Sequence, residues 1–227
     1  LAGWAVFGSV SFIPLFVQAV LGTTATQAGV TLTPMLLGWV TASIIGTRLL
    51  LTIGYRKLAL IGTATFTVGA FLMSRAGMNS SQLSLMVFAA LMGIGMGLSI
   101  PAYLIAVQTS VERRQLGTAT STLQFSRSMG GTLGVSVMGA ALSARLASNL
   151  IASGLNLELV RQLLDPLPGS QAVIEVAARL AMADAIHLVF VIAFVAALLA
   201  MVTVLFTPRT ELTERVSERE PSALSAD

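Results

Sequence analysis

Cysteine is absent from the 227-residue chain, and histidine occurs once. With no thiol there is no disulfide framework, no thiolate nucleophile and no Cys-based metal centre. Charge is scarce as well. Only 10% of residues are Asp, Glu, Lys or Arg, where a soluble globular domain carries roughly 25%. That deficit excludes an ordinary soluble domain, and the want of polar low-complexity tracts excludes a disordered one. The 13 Lys and Arg against 10 Asp and Glu leave a net charge of +3. Spread over this length it makes no nucleic-acid footprint, so no nucleic acid is expected as a partner. There is no Walker-type loop, no His/Asp/Glu cluster at ligand spacing and no Ser/His/Asp constellation. ATP hydrolysis, a bound metal, a cofactor and covalent catalysis are therefore not expected, and neither is an enzyme. An initiator Met is also missing, and Leu1 falls inside an apolar run. The chain is expected to be a piece of a longer product.

What the chain has is apolar surface. Hydrophobic residues make up 55% of it, and its mean hydropathy is +0.86. Crossing a bilayer takes about 20 apolar residues in a helix. Six runs qualify, at about 1–21, 28–47, 58–74, 83–107, 117–143 and 185–206. The fold class expected is an all-α membrane protein, with a six-helix transmembrane domain over 1–206 and a polar tail over 207–227. Residues 145–184 mix charged and apolar positions, and read as an external amphipathic loop broken at Asp165–Gly169. Arg48, Arg56, Lys57, Arg113, Arg114, Arg209, Arg215 and Arg219 fall on one side of the six runs. Arg75, Arg145, Arg161 and Arg179 fall on the other, mostly in the long connection. The first side is therefore assigned to the cytoplasm, the tail included, in a multi-pass plasma-membrane protein.

Arg127 is the one charge inside any of these runs. The fifth run starts near Gln115–Gly117, which places Arg127 about 15–18 Å along the helix, around mid-membrane. A charge there costs about 2.5–3.5 kcal/mol on insertion scales, so it should face protein or a wet cavity. Thr120, Gln124, Arg127, Gly131 and Gly134 share one helical face. Two readings stay open: a group that meets substrate or proton traffic, and a structural Arg that ties helix ends through carbonyls.

The fourth run carries Gly93, Gly95, Gly97 and Pro101, small residues that let helix backbones approach closely. Beside them lie Met92, Met96, Ser99 and Tyr103, which suit either core packing or an adaptable apolar cavity wall. The first run places Trp4, Gly8, Ser11, Leu15 and Gln18 on one stripe, with Phe7, Phe12 and Phe16 alongside. That stripe suits an amphipathic ligand or, more plainly, core packing with an interfacial Trp. Gly130, Gly131 and Gly134 make a close-contact face on the fifth run. His187 reads as an interfacial residue, and Asp184 as the N-cap of the last helix.

The order of these landmarks resembles a known family. Pro14-Leu15-Phe16-Val17-Gln18-Ala19-Val20-Leu21-Gly22, followed by Thr26-Gln27-Ala28-Gly29 and Pro34, is similar to a stretch of the major facilitator superfamily in its fourteen-helix drug:proton antiporter branch. Gly46-Thr47-Arg48-Leu49 with Ile53-Gly54-Tyr55-Arg56-Lys57 resembles that family's cytoplasmic turn. There, Leu51-Thr52 replaces an acidic-basic pair that steadies one conformational state in the family, so that contact is expected to be missing or weakened here. The Gly93-to-Pro101 run, the Gln124…Arg127…Gly130-Gly131…Gly134 series and Ala185-Ile186-His187-Leu188-Val189-Phe190 are also similar.

The resemblance implies the C-terminal six-helix domain of a proton-coupled efflux transporter. It would be built from two inverted three-helix units and would work by alternating access. The first and fourth helices would line the cavity, the second and fifth would flank the domain interface, and the third and sixth would lie outside. Expected partners are the lipid bilayer, a small amphipathic substrate, protons and the transporter's own N-terminal domain. With no intramembrane carboxylate in this chain, the proton-carrying group is expected in that N-terminal half. A transporter of a physiological solute on the same fold, and a non-transporting membrane module, stay open as alternatives.

Overall fold

The computed structural model describes residues 2–78, 80–152 and 171–206. They form six helices: α1 (Ala2–Ala19), α2 (Ala25–Ile53), α3 (Tyr55–Ser74), α4 (Gln82–Thr109), α5 (Leu116–Ala152) and α6 (Gln171–Leu205), with a 3-10 turn at Arg113–Gln115 before α5. Helix is the form that satisfies every backbone N–H and C=O within one apolar segment. The starts of two helices are written in polar residues. Thr24 and Gln27 cap α2 reciprocally, each side chain accepting from the other residue's N–H. Ser81 caps α4 by accepting from the Ser84 N–H. Between α2 and α3 the chain reverses on Gly54 alone, at φ +77° and ψ 159°. That conformation is essentially reserved for glycine.

Several boundaries differ from expectation. α2 runs on through Arg48 to Ile53, so the turn expected on the cytoplasmic side is one residue long. α5 continues past 143 to Ala152, and α6 begins at Gln171 instead of 185. Asp184 is thus in a helix interior and does not cap it. Residues 144–152 and 171–184 thus lengthen the two helices beyond the apolar runs, where charge is tolerated. At 37 residues, α5 is about 55 Å long, against a hydrocarbon core of about 30 Å. The expected break at Asp165–Gly169 and the tail 207–227 lie outside the described residues. By length and composition, α1, α2, α3, α4 and α6 are apolar enough to cross a membrane. α5 is long enough, but its Ser, Thr, Gln and Arg127 make it the most polar of the long helices.

The packing follows an exchange of two three-helix units. α2 and α3 both lie against α4, while α5 and α6 both lie against α1. Swapping α1–α3 for α4–α6 turns the first statement into the second. α3 packs on α6, a pair that maps onto itself. The core is centred on Ile13, Phe16, Val17, Met92, Met138, Ile186, Val189 and Phe190, all buried. The Phe16 and Phe190 rings lie 5.6 Å apart. Thr67 Oγ1 donates to the Ala197 carbonyl at 3.4 Å and ties α3 to α6. Outward positions are also apolar, for example Leu36, Leu37, Val40, Ile44 and Ile45 on α2 and Leu199 and Val202 on α6. A protein apolar on both its inner and outer surfaces is one whose solvent is lipid, where close packing holds the helices together.

Candidate cavity wall and helix crossings

Glycine marks each close crossing. A Cβ on Gly93 would collide with the Met35 carbonyl, and one on Gly97 with the Trp39 carbonyl, at the α2–α4 crossing. A Cβ on Gly95 would strike Phe66 of α3. At the equivalent α1–α5 crossing, Gly3 abuts the Arg127 carbonyl, Phe7 lies over Gly131, Trp4 over Gly134, and Gly8 takes Met138. Gly130 is half-buried beside this seam, and Pro101 sits half-buried inside α4. Gly46 is buried with its Cα side toward Leu98.

The residues expected on a cavity wall divide into two groups. Met92 and Met96 are buried in the core, 0% and 5% exposed, with Met92 packed on Gly69 of α3. The expectation that they line an open wall is corrected. The i, i+4 stripe they share points toward α3, because α4 is sandwiched between α2 and α3. Phe12 is likewise buried, as is Gly8, so only part of the α1 stripe faces outward. The open face of α1 is Phe7, Ser11 and Gln18. Tyr103 is half-buried, with its hydroxyl 3.0 Å from Thr63 Oγ1. Trp4 is half-buried, and its Nε1 is wholly enclosed without an acceptor among the described residues.

Arg127 is half-buried and Gln124, one turn before it, is exposed. From Arg127 it is about 17 Å to the start of α5 at Leu116 and about 27 Å to Arg145, along the helix axis. Arg127 therefore stands well inside the span. It makes no hydrogen bond or ion pair among the described residues. This departs from the reading in which it ties helix ends.

Two polar clusters were missed from the sequence. At the end of the bundle assigned to the outside, the Asp184 carboxylate accepts from Arg145 Nε and Asn149 Nδ2, both at 2.8 Å. Asn149 also donates to the Ala181 carbonyl. The i, i+4 spacing of Arg145 and Asn149 was the available signal. At the other end, Arg56 Nη2 donates to the Leu205 carbonyl at 3.0 Å and closes the C-terminus of α6. Arg48 and Lys57 are exposed at that end. His187 is exposed one turn beyond Asp184.

Apolar helices packed as two exchanged three-helix units make the described residues part of a helical multi-pass membrane protein. The profile of the Major Facilitator Superfamily matches residues 1–226, and the chain belongs to that family. It is similar to the multidrug transporter protein MdtP of Bacillus subtilis, 37% identical over 145 residues, covering 64% of this chain and 27% of that protein. The multidrug resistance protein 3 of Bacillus subtilis is 34% identical over 209 residues, covering 86% of this chain and 41% of that protein. A tetracycline resistance determinant of Streptomyces rimosus is 31% identical over 137 residues, covering 60% and 40%. The chain thus spans between about a quarter and two fifths of these relatives' lengths. A transporter, not an enzyme, is what this family membership describes.

Proposed function

We propose that the chain is the C-terminal half of a proton-coupled efflux transporter for amphipathic small molecules, in the drug:proton antiporter branch of the family. It works by alternating access against an N-terminal domain in the plasma membrane, with its basic end and its tail in the cytoplasm. The observation that carries the reading is the exchanged packing of two three-helix units, which is how an inverted repeat builds one half of a rocking transporter. Relatives named for multidrug and tetracycline resistance support the choice of cargo.

Within this reading, Phe7, Ser11 and Gln18 of α1 and Tyr103 of α4 contribute to the central wall, and Gln124 and Arg127 of α5 stand at the domain interface. No Asp or Glu falls within the apolar runs of this chain to carry a proton. The proton carrier is therefore a carboxylate of the N-terminal half. Gly54, with Arg48, Arg56 and Lys57, forms the cytoplasmic hinge. With Leu51-Thr52 in place of a charged pair, that hinge steadies its state through the Arg56–Leu205 contact instead.

The test is accumulation of a fluorescent amphiphile in cells stripped of their own pumps and expressing the full-length protein. Accumulation should fall with expression and recover when a protonophore collapses the gradient. Accumulation unaffected by expression, with the protein present in the membrane, would sink the reading.

A further inference from the structure

We infer that the seam between α3 and α6 holds an anionic phospholipid, its phosphate on Lys57 and Arg56 and an acyl chain along the seam. The inference is independent of what the protein transports.

Three contacts trace the seam. At the basic end of the bundle, Arg56 Nη2 donates to the Leu205 carbonyl at 3.0 Å. Further along, Thr67 Oγ1 donates to the Ala197 carbonyl at 3.4 Å. Toward the other end, the Phe71 and Phe194 rings lie 5.4 Å apart. From Arg56 to Phe71 is about 22 Å along the helix axis, more than the ~15 Å apolar depth of one leaflet. The outward rim of the seam is apolar on both sides. Lys57, Ala64 and Phe71 recur on one stripe of α3, with Ile61 and Val68 beside them. Leu198, Val202 and Leu205 form the matching stripe of α6. Ile61, Val68, Phe71, Leu198, Val202 and Leu205 are all exposed. Ala64 is half-buried and puts only a methyl between Lys57 and Phe71, so the α3 stripe is lowest along the path assigned to the chain.

The head of the seam supplies the charge. Lys57 is exposed there, and its neighbour Arg56 is fixed by the Leu205 carbonyl. A lysine in this position lays its stem along apolar surface and lifts its ammonium to the level of the headgroups. α3 carries no Asp or Glu, and those of α6, Glu175 and Asp184, lie toward the opposite end. Basic groups between membrane helices draw anionic headgroups. A zwitterionic lipid brings a cation of its own to the same place and is held less well. A free anion lacks the chain that would cover the rim. An apolar seam headed by two adjacent cations therefore fits one occupant, an anionic glycerophospholipid.

The experiment uses the purified full-length protein, delipidated and titrated with dioleoylphosphatidylglycerol or dioleoylphosphatidylcholine. Native mass spectrometry gives the affinity for the first lipid bound. Wild type should prefer the phosphatidylglycerol, and the preference should fall about fivefold in Lys57→Gln, the scale of one cation beside an anionic headgroup. Lys57→Arg should keep it. Arg114→Gln should keep it too, since Arg114 is an exposed cation in the connection between α4 and α5. The same preference in wild type and Lys57→Gln overturns the inference. So does an equal fall in Arg114→Gln, which would show a general attraction of the basic end and no seam site. Position is checked with Val68→Trp and lipids brominated in the acyl chain. Brominated phosphatidylglycerol should quench the new tryptophan more than brominated phosphatidylcholine, and Lys57→Gln should remove the excess. No quenching by either lipid would show that the rest of the protein covers the seam, and would also overturn the inference.

Discussion

Two residues carry more of this architecture than their size suggests. Gly54 is the whole connection between α2 and α3, and its backbone occupies a region closed to side chains. Gly54→Ala should cost about 1–3 kcal/mol, seen as a lower unfolding temperature of the purified full-length protein; an unchanged temperature would show that the turn relaxes. A Cβ there meets no neighbour within 4 Å, so a loss would report backbone strain and not a clash. Arg127 is the other. Its depth along α5 and its want of a partner among the described residues separate it from the arginines at the bundle ends, where Arg56 closes a helix and Arg145 holds a carboxylate.

At the scale of elements, α5 is longer than the hydrocarbon is thick, and one ion pair among the described residues, Arg145–Asp184, lies toward its C-terminal end. α5 and α6 are joined beyond the hydrocarbon by Arg145, Asn149 and Asp184, whose ionic partners are each about half exposed. Exposed pairs contribute about 0–1 kcal/mol. Asp184→Asn should therefore leave the unfolding temperature within a degree or two, and a large drop would show that the clamp is buried in the assembled protein. The outward and core-facing sides of an element also separate here. α1 shows Phe7, Ser11 and Gln18 outward and turns Phe12 and Phe16 inward. α4 has no comparable open stripe at Met92 and Met96, because neighbours cover it on two sides.

For the whole molecule, exchange of two three-helix units makes each close crossing a pair with its symmetry mate. It leaves outward faces on α1, α2 and α5 rich in exposed apolar side chains. In the proposed transporter, one of these faces meets the second half. The 227-residue chain reconstituted alone should accordingly show no proton-driven uptake of any probe, because half of the wall is missing. Uptake by the chain alone would mean that these six helices, or a pair of copies, form a complete pathway.

Composition and run length were enough to determine an all-α membrane protein, and the order of short motifs was enough to reach the family. Both are local properties: apolar length measures the bilayer, and Gly and Pro punctuate helices wherever they pack. Helix ends were harder to read, because 145–184 is amphipathic, and an amphipathic stretch can extend a helix past the lipid as readily as it can form a loop. Three things came only from tertiary packing. One is that Met92 and Met96 point into the core. Another is that Asp184 finds Arg145 and Asn149 from a different helix. The last is that Arg127 makes no hydrogen bond or ion pair among the described residues. Each depends on which face of one helix meets which face of another, and periodicity alone does not contain that choice.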